Sequence, residues 1–353
     1  MNILNAGDVV LNRYRVEAFI GEGGMQEVYR ATDLALNRKV ALKTPKNDHA
    51  AKRFQRSAIV SASVRHPSVA TTFDYFETND RAYLVEEFIA GVDLKKVMTT
   101  TYQYLDPALA AHLATHLAKG LDACHRENIW HRDLKPANVM LSDELVFSEV
   151  KITDFGIAKM VEEEFKDDSE GGAESSITGS QTLVGAAPFM APEHMFTPKK
   201  ADKRADIWSF GAILYSVLFG EPPFGRNFAS IAVAITKGKY DKPPVWMLSK
   251  TQFQTVLGSL WKIIQSCLIN DPEKRPTADQ LVKELASVCF SVYPRIRGIT
   301  KSIVLQGGRS SFVQSDEGDA LYHLDSYYKK GSLAAGELVA FSRHPGSPSA
   351  RAL

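Results

Sequence analysis

The stretch HRDLKPANVM, residues 131–140, sets a carboxylate at Asp133, an ammonium at Lys135 and an amide at Asn138 within six positions, then runs into apolar residues that read as the start of a strand. The three side chains make a chemically coherent set. A carboxylate can orient a hydroxyl nucleophile and accept its proton. A neighbouring ammonium can offset charge on a transferring group, and an amide oxygen can ligate magnesium. A second carboxylate, Asp154, follows in DFG (154–156), a glycine-flexible turn after the strand-like VKIT. The plain alternative, two acidic loops with capping residues, explains the two segments less well together than singly.

Working outward toward the N-terminus, GEGGMQEVYRA (21–31) lies in a strand–turn–strand setting over residues 13–31. Gly21, Gly23 and Gly24 leave the turn without side chains, so backbone N–H groups can approach phosphate oxygens. An ordinary β-hairpin with a flexible turn reads the same way. A P-loop is excluded, because GKS or GKT before a helix is missing. NRKVALKTP reads as a further strand ended by Pro45, with Lys43 at its centre in VALK. Lysine in an apolar strand costs desolvation unless it meets an anion. A snorkelling edge-strand lysine is the alternative, weakened by the phosphate-type turn upstream.

The chain has 353 residues, 44% of them hydrophobic and 24% charged, with a formal net charge of +1. That length suits two domains or one large two-lobed unit. The near-zero charge gives no argument for a nucleic acid or an anionic membrane as partner. The first residues, MNILNAGDVVLNRYR, do not read as a signal peptide. The most apolar uncharged run, IWSFGAILYSVLFG (207–220), has 14 residues, short of the roughly 20 a spanning helix needs, and reads as a buried helix. Three cysteines, Cys124, Cys267 and Cys289, show no paired spacing, so neither a disulfide framework nor a zinc site is expected; a reducing cytoplasm is the simple reading.

Residues 51–66 carry a helical spacing of Phe54, Ala58 and Ala62 that Pro67 stops, and RAYLVEEF (81–88) reads as a strand. From about residue 92 the pattern turns helical. Asp106 is placed to cap a helix with Pro107 in its first turn, and further helical runs follow at 202–219, 254–269 and 277–290. A small β-rich lobe joined to a larger helical one leaves a cleft at the joint. Residues 161–182, with seven acidic side chains, paired glycines and many hydroxyls, read as a mobile insertion. Residues 295–353 form a C-terminal extension without a motif, and RHPGSPSARAL at its end is expected to be disordered.

In their order and over about residues 13–290, GEGGMQEVYRA, VALK, HRDLKPAN, DFG, APE (191–193), DIWSFG (206–211) and the arginine of DPEKRP at 275 resemble a eukaryotic-type serine/threonine protein kinase of the bacterial branch. The resemblance implies an α+β bilobal kinase-like fold, with a small lobe over about 13–88 built on strands and one main helix, and a mostly helical lobe over about 92–290. It implies ATP and Mg2+ as cofactors, with Lys43 on the α and β phosphates and Asp154 and Asn138 as magnesium ligands. It further implies Asp133 as the base and Lys135 near the γ-phosphate. Val28 and Ala41 would cover adenine, and Glu87 to Ile89 would be the hinge that hydrogen-bonds it. Glu193 with Arg275 resembles a bracing ion pair, and Asp206 the residue that secures the catalytic loop. The implied partner is a protein bearing Ser or Thr; a homodimer through the small lobe is expected by analogy alone, with no nucleic acid and no membrane.

Three positions depart from the family. Gln26 stands at the third position of the glycine pattern, where only a modest effect is expected. Ser57 stands where the family carries the glutamate that pairs with the strand lysine, and Ala186 where it commonly has threonine. Glu86 occupies the gatekeeper position, where an acidic side chain is costly unless paired; turning toward Lys43 would replace the missing glutamate in part. Arg132 implies a phosphorylated loop residue, with Thr178 and Thr182 favoured by their distance from APE. An active serine/threonine kinase is the first expectation. The alternative is a nucleotide-binding pseudokinase acting through protein contacts.

Overall fold

The computed structural model describes residues 3–22, 26–46, 54–55, 58–59, 61–154, 187–197, 201–226, 231, 235, 240–301, 310–323, 326–328, 334–344 and 350–352. Strands β1 (Val9–Val10), β2 (Tyr14–Glu22), β3 (Gln26–Asp33), β4 (Arg38–Pro45), β5 (Thr72–Glu77) and β6 (Ala82–Glu87) form one antiparallel sheet in the order β1-β2-β3-β4-β6-β5. Period-two alternation divides its side chains between two faces. Tyr14, Val16, Tyr29, Ala31, Val40, Leu42, Tyr83 and Val85 make a buried cluster on one of them. Val28 stands opposite Lys43, and Ala41 opposite Glu86. Opposed residues share a face, so Gln26, Val28, Ala41, Lys43, Leu84 and Glu86 all lie on the other. There the helical residues Phe54 and Ala58 pack on Ala82 and Leu84.

The larger lobe follows. β7 (Val92–Asp93), β8 (Val139–Leu141) and β9 (Val150–Ile152) make a small antiparallel sheet beside helices α1 (Leu94–Thr100) and α2 (Pro107–Arg126). Helix α2 starts as its sequence dictates: Asp106 Oδ1 accepts the N–H groups of Ala108 and Leu109 at 3.0 and 3.2 Å, with Pro107 in the first turn. Beyond it come α3 (Pro192–Phe196), α4 (Arg204–Phe219), α5 (Val245–Leu248), α6 (Gln254–Cys267) and α7 (Ala278–Ala286). The uncharged run at 207–220 is buried around most of its circumference in α4, and Gly220 ends that helix at φ 82°. Leu113, Leu117, Leu121, Trp208, Phe210 and Ile264 stand in one continuous core. Among the described residues no helix is long and apolar enough to cross a membrane.

The C-terminal residues depart from expectation. β10 (Arg295–Thr300), β11 (Ser310–Ser315), β12 (Gly318–His323), β13 (Leu338–His344) and β14 (Ala350–Ala352) close into a barrel in the order β10-β11-β12-β14-β13. The expected disordered end is thereby corrected: Ala350–Ala352 form a strand, with Ala352 opposite Arg343 and Ala350 parallel to Ala320. Three residues carry no alternation to read, and their partners are strands fixed by the rest of the barrel. Val313, Ala320, Tyr322, Phe341 and Ala352 fill its interior. The barrel sits on the helical lobe through Arg295, 2.7 Å from Asp106, and through Tyr328, whose ring packs against Tyr104, Trp246 and Phe253.

Candidate active site

The register of two short strands assembles the polar cluster. Val139 opposite Ile152 puts Asn138 next to Thr153, whose N–H donates to the Asn138 carbonyl at 2.9 Å. Asp154 comes one residue later, turned by a left-handed φ of 60°. Arg132, at φ 64°, makes a similar turn on the preceding loop. Such backbone needs outside support, and Asp206 gives it. Its Oδ1 accepts the Arg132 N–H at 2.8 Å, while Oδ2 accepts the His131 N–H at 2.8 Å and meets His125 Nε2 at 2.9 Å. Burial drives the Asp206 carboxyl up, but His125 and the backbone donors outweigh it and hold it below the usual carboxylate range. His131 Nε2 lies 2.9 Å from the Thr153 carbonyl and joins the loop to β9.

On this loop Lys135 Nζ donates to Asp133 Oδ2 at 2.6 Å. Asn138 Nδ2 donates to the Asp133 carbonyl at 2.8 Å and to Oδ2 at 3.3 Å. The amide's N–H groups are thereby spent on Asp133, which leaves its Oδ1 as an oxygen donor. From the sheet above, Lys43 Nζ reaches Asp154 Oδ1 at 2.8 Å and also pairs with Glu86 Oε2. Lys43 and Glu86 are both 5% exposed. Burial opposes charge on the amine, yet Asp154 and Glu86 together raise it above the ordinary lysine value. Two carboxylates on one ammonium divide unequally. Burial raises Glu86, whereas for Asp154 the attraction of Lys43 overcomes burial and lowers it.

Gln26, from the start of β3, also enters the cluster: its Nε2 donates to the same Asp154 Oδ1 at 2.9 Å. Sequence reading missed this contact. The only signal was the face alternation of β3, which turns residue 26 to the side of Lys43 once the register is known. Val28 is half-buried and Ala41 buried on that face, and Ile89 is 7% exposed. Glu87 is held from both sides, by Lys151 Nζ at 2.5 Å and by the Thr71 N–H at 3.2 Å. Gly21 pairs with Val28 at the end of the β2–β3 ladder. Gly23, Gly24, Ser57, Thr178, Thr182, Ala186 and the acidic insertion 161–182 lie outside the described residues.

A divalent cation suits this donor set. Asp154 offers a carboxylate and Asn138 an amide oxygen, both hard ligands, and Gln26 Oε1 is buried without a hydrogen-bond partner among the described residues. Among the described residues no group of three or more His, Cys, Asp or Glu could hold a metal by itself. Magnesium seldom has such a cage; one or two protein oxygens complete a shell made mostly of substrate phosphates and water.

Deeper in the helical lobe, Arg275 grips Glu193 through two parallel hydrogen bonds of 2.6 and 2.8 Å, and its Nε donates to the Ile269 carbonyl at 2.7 Å. A family model for the protein kinase domain matches residues 14–285. The chain is 34% identical over 304 residues to the serine/threonine-protein kinase pkn2 of Myxococcus xanthus, covering 84% of this chain and 34% of that protein. It is 32% identical over 288 residues to a probable serine/threonine-protein kinase of Clostridium acetobutylicum, covering 80% and 41%. It is 31% identical over 287 residues to the serine/threonine-protein kinase PknB of Mycobacterium tuberculosis, covering 78% and 43%. The chain thus spans less than half the length of these curated relatives.

Proposed function

The chain belongs to the protein kinase family, and from that premise we propose that it transfers the γ-phosphoryl group of ATP to serine or threonine hydroxyls of a protein substrate. The observation that supports this reading most is the meeting of Lys43 with Asp154, 111 residues apart in sequence, beside the loop that carries Asp133, Lys135 and Asn138. An ammonium fixed by Glu86 receives the α and β phosphates. Gly21, Gly23 and Gly24 bring backbone N–H groups over the triphosphate, Val28 and Ala41 cover the adenine, and the backbone of Glu87 to Ile89 meets its edge. Asp154 and Asn138 hold magnesium, which when bound neutralises phosphate charge.

Asp133 orients the acceptor hydroxyl and takes its proton as the oxygen bonds to the γ-phosphorus. The bond from that phosphorus to the bridging oxygen breaks, and ADP leaves. Lys135, 2.6 Å from Asp133 Oδ2, is placed to offset charge on the transferring group. Thr178 and Thr182 are the proposed phosphorylation sites of the loop, read through Arg132. The cytoplasm is the proposed location, in keeping with three cysteines that are free thiols.

The test is phosphate incorporation from magnesium-ATP into a generic protein substrate, followed by phosphoamino-acid analysis. Phosphoserine and phosphothreonine are expected from the parent. Asp133→Asn should lose roughly 10²–10⁴-fold in rate, the usual contribution of a positioned base. Equal incorporation by the two proteins would remove the reading. Tight nucleotide binding with no transfer by the parent would leave the pseudokinase reading, for which Ser57 speaks.

A further inference from the structure

Gln26 is a cleft residue whose chemistry the reaction above does not use. It is 5% exposed, on the same sheet face as Val28 and Lys43, and its amide is half satisfied. Nε2 donates to Asp154 Oδ1 at 2.9 Å, whereas Oε1 is buried with no partner among the described residues. The orientation of the amide follows from its neighbour, because an ionised carboxylate accepts only, so the NH2 end must face Asp154. A buried acceptor left without a donor costs free energy. Turning the side chain out to water would relieve that cost, and the hydrogen bond to Asp154 keeps it in.

The position of Asp154 gives the orphaned oxygen a role. Lys43 at 2.8 Å and Gln26 at 2.9 Å both bind Oδ1. Two donors on one oxygen fix the rotation of the carboxylate and leave Oδ2 as its other acceptor. A divalent cation arriving with phosphates would be held by Asp154 through Oδ2, and the buried Oε1 of Gln26 would serve as an acceptor for water on that cation. Groups of this kind, which orient a ligand and complete the outer shell, weaken metal binding about 10–100-fold when removed.

We infer that Gln26 is a positioning residue for the divalent cation: its Nε2 locks Asp154 and its Oε1 receives the cation's hydration shell. This deepens the phosphotransfer reading and rests on it. A side chain, and not a glycine, at this turn position thus sets how strongly nucleotide binding depends on magnesium.

The experiment measures ADP affinity of the full chain by calorimetry, with and without Mg2+, in the parent, Gln26→Ala and Gln26→Met. The quantity read is the gain in affinity that Mg2+ confers. Gln26→Ala should cut that gain about tenfold and leave affinity for metal-free ADP within about twofold. Gln26→Met matches the parent in volume, carries neither the donor nor the acceptor, and should lose the gain as Gln26→Ala does. An unchanged or larger gain in Gln26→Ala would overturn the inference. So would an equal fall with and without Mg2+, the mark of a merely structural loop, or a gain kept in full by Gln26→Met. A parent that binds ADP with no help from Mg2+ would overturn the phosphotransfer reading as well, so the two failures are distinguishable.

Discussion

Lys43 is a lysine taken out of water and given two carboxylates, one from the neighbouring strand and one from the opposite lobe. The strand partner is fixed by sheet register, since Ala41 pairs with Glu86 and Lys43 with Leu84. Glu86→Gln removes the nearer charge and leaves Asp154 as the remaining one. Breaking a buried pair outright costs about 3–5 kcal/mol, and the surviving partner lowers that to roughly 1–3 kcal/mol. Thermal denaturation should show the loss, and titration with ADP should show weaker binding. Asp206 has a pH signature of its own. Folding lowers its pKa, so its stabilisation is complete above an ordinary carboxylate value of about 4 and is lost as pH falls through the lower, folded value. Asp206→Asn should lose about 3 kcal/mol at neutral pH, because an amide cannot accept from His125, His131 and Arg132 together. Melting curves from pH 7 down to pH 3 should then fall less steeply for the variant than for the parent. At this scale the sequence was informative about residue types: Asp133, Lys135, Asn138 and Asp154 sit in short segments whose chemistry is visible without coordinates. The contact of Gln26 was not, because it depends on which face of β3 meets the cleft.

Elements were legible where their signals are local. Asp106 and Pro107 mark the start of α2, and Gly220 the end of α4. Strands β4 and β6 carry alternation or apolar runs that read directly. β5, with every residue through Phe76 half-buried and a register shift between Thr72 and Asp74, lies at the sheet edge and carries no such pattern. Glycines divide in the same way, by what surrounds them. A Cβ on Gly91 would come within 1.8 Å of the Leu141 carbonyl oxygen, on the strand that pairs with β7. Backbone on β8 cannot give way without moving Asn138 just before it. Gly91→Ala should therefore cost at least about 3 kcal/mol and reduce nucleotide affinity with it. Gly258, exposed inside α6, has open space within 4 Å of where an alanine methyl would sit. Gly258→Ala should stabilise by up to about 1 kcal/mol, the helix preference for alanine over glycine. Denaturant midpoints of the two variants, measured side by side, check both signs.

For the whole molecule, the question is whether the barrel of residues 295–352 hangs from the helical lobe or is part of it. The contacts argue for the second. Asp106 does two tasks at once: Oδ1 caps α2 and Oδ2 takes Arg295 at 2.7 Å, with each side chain 13% exposed. Burial opposes the Arg295 charge, but Asp106 outweighs it and raises its pKa. The start of α2 and the start of β10 thus share one carboxylate. Arg295→Ala should cost about 2 kcal/mol, less than a fully buried pair because Asp106 keeps its backbone donors. Asp106→Ala should cost more, since the cap goes too, and the double variant should fall short of the sum by about 1–2 kcal/mol. Tyr328 sharpens the test. Its ring packs against Tyr104, Trp246 and Phe253, while its hydroxyl is buried with no partner among the described residues. Tyr328→Ala should cost about 3 kcal/mol, and Tyr328→Phe should be neutral or stabilise by about 1 kcal/mol, because it deletes the unpaired group and keeps the ring. Calorimetry of the full chain should show one transition that moves as a unit in all of these variants. A tethered barrel would melt separately and leave the main transition where it was in Arg295→Ala and Tyr328→Ala alike.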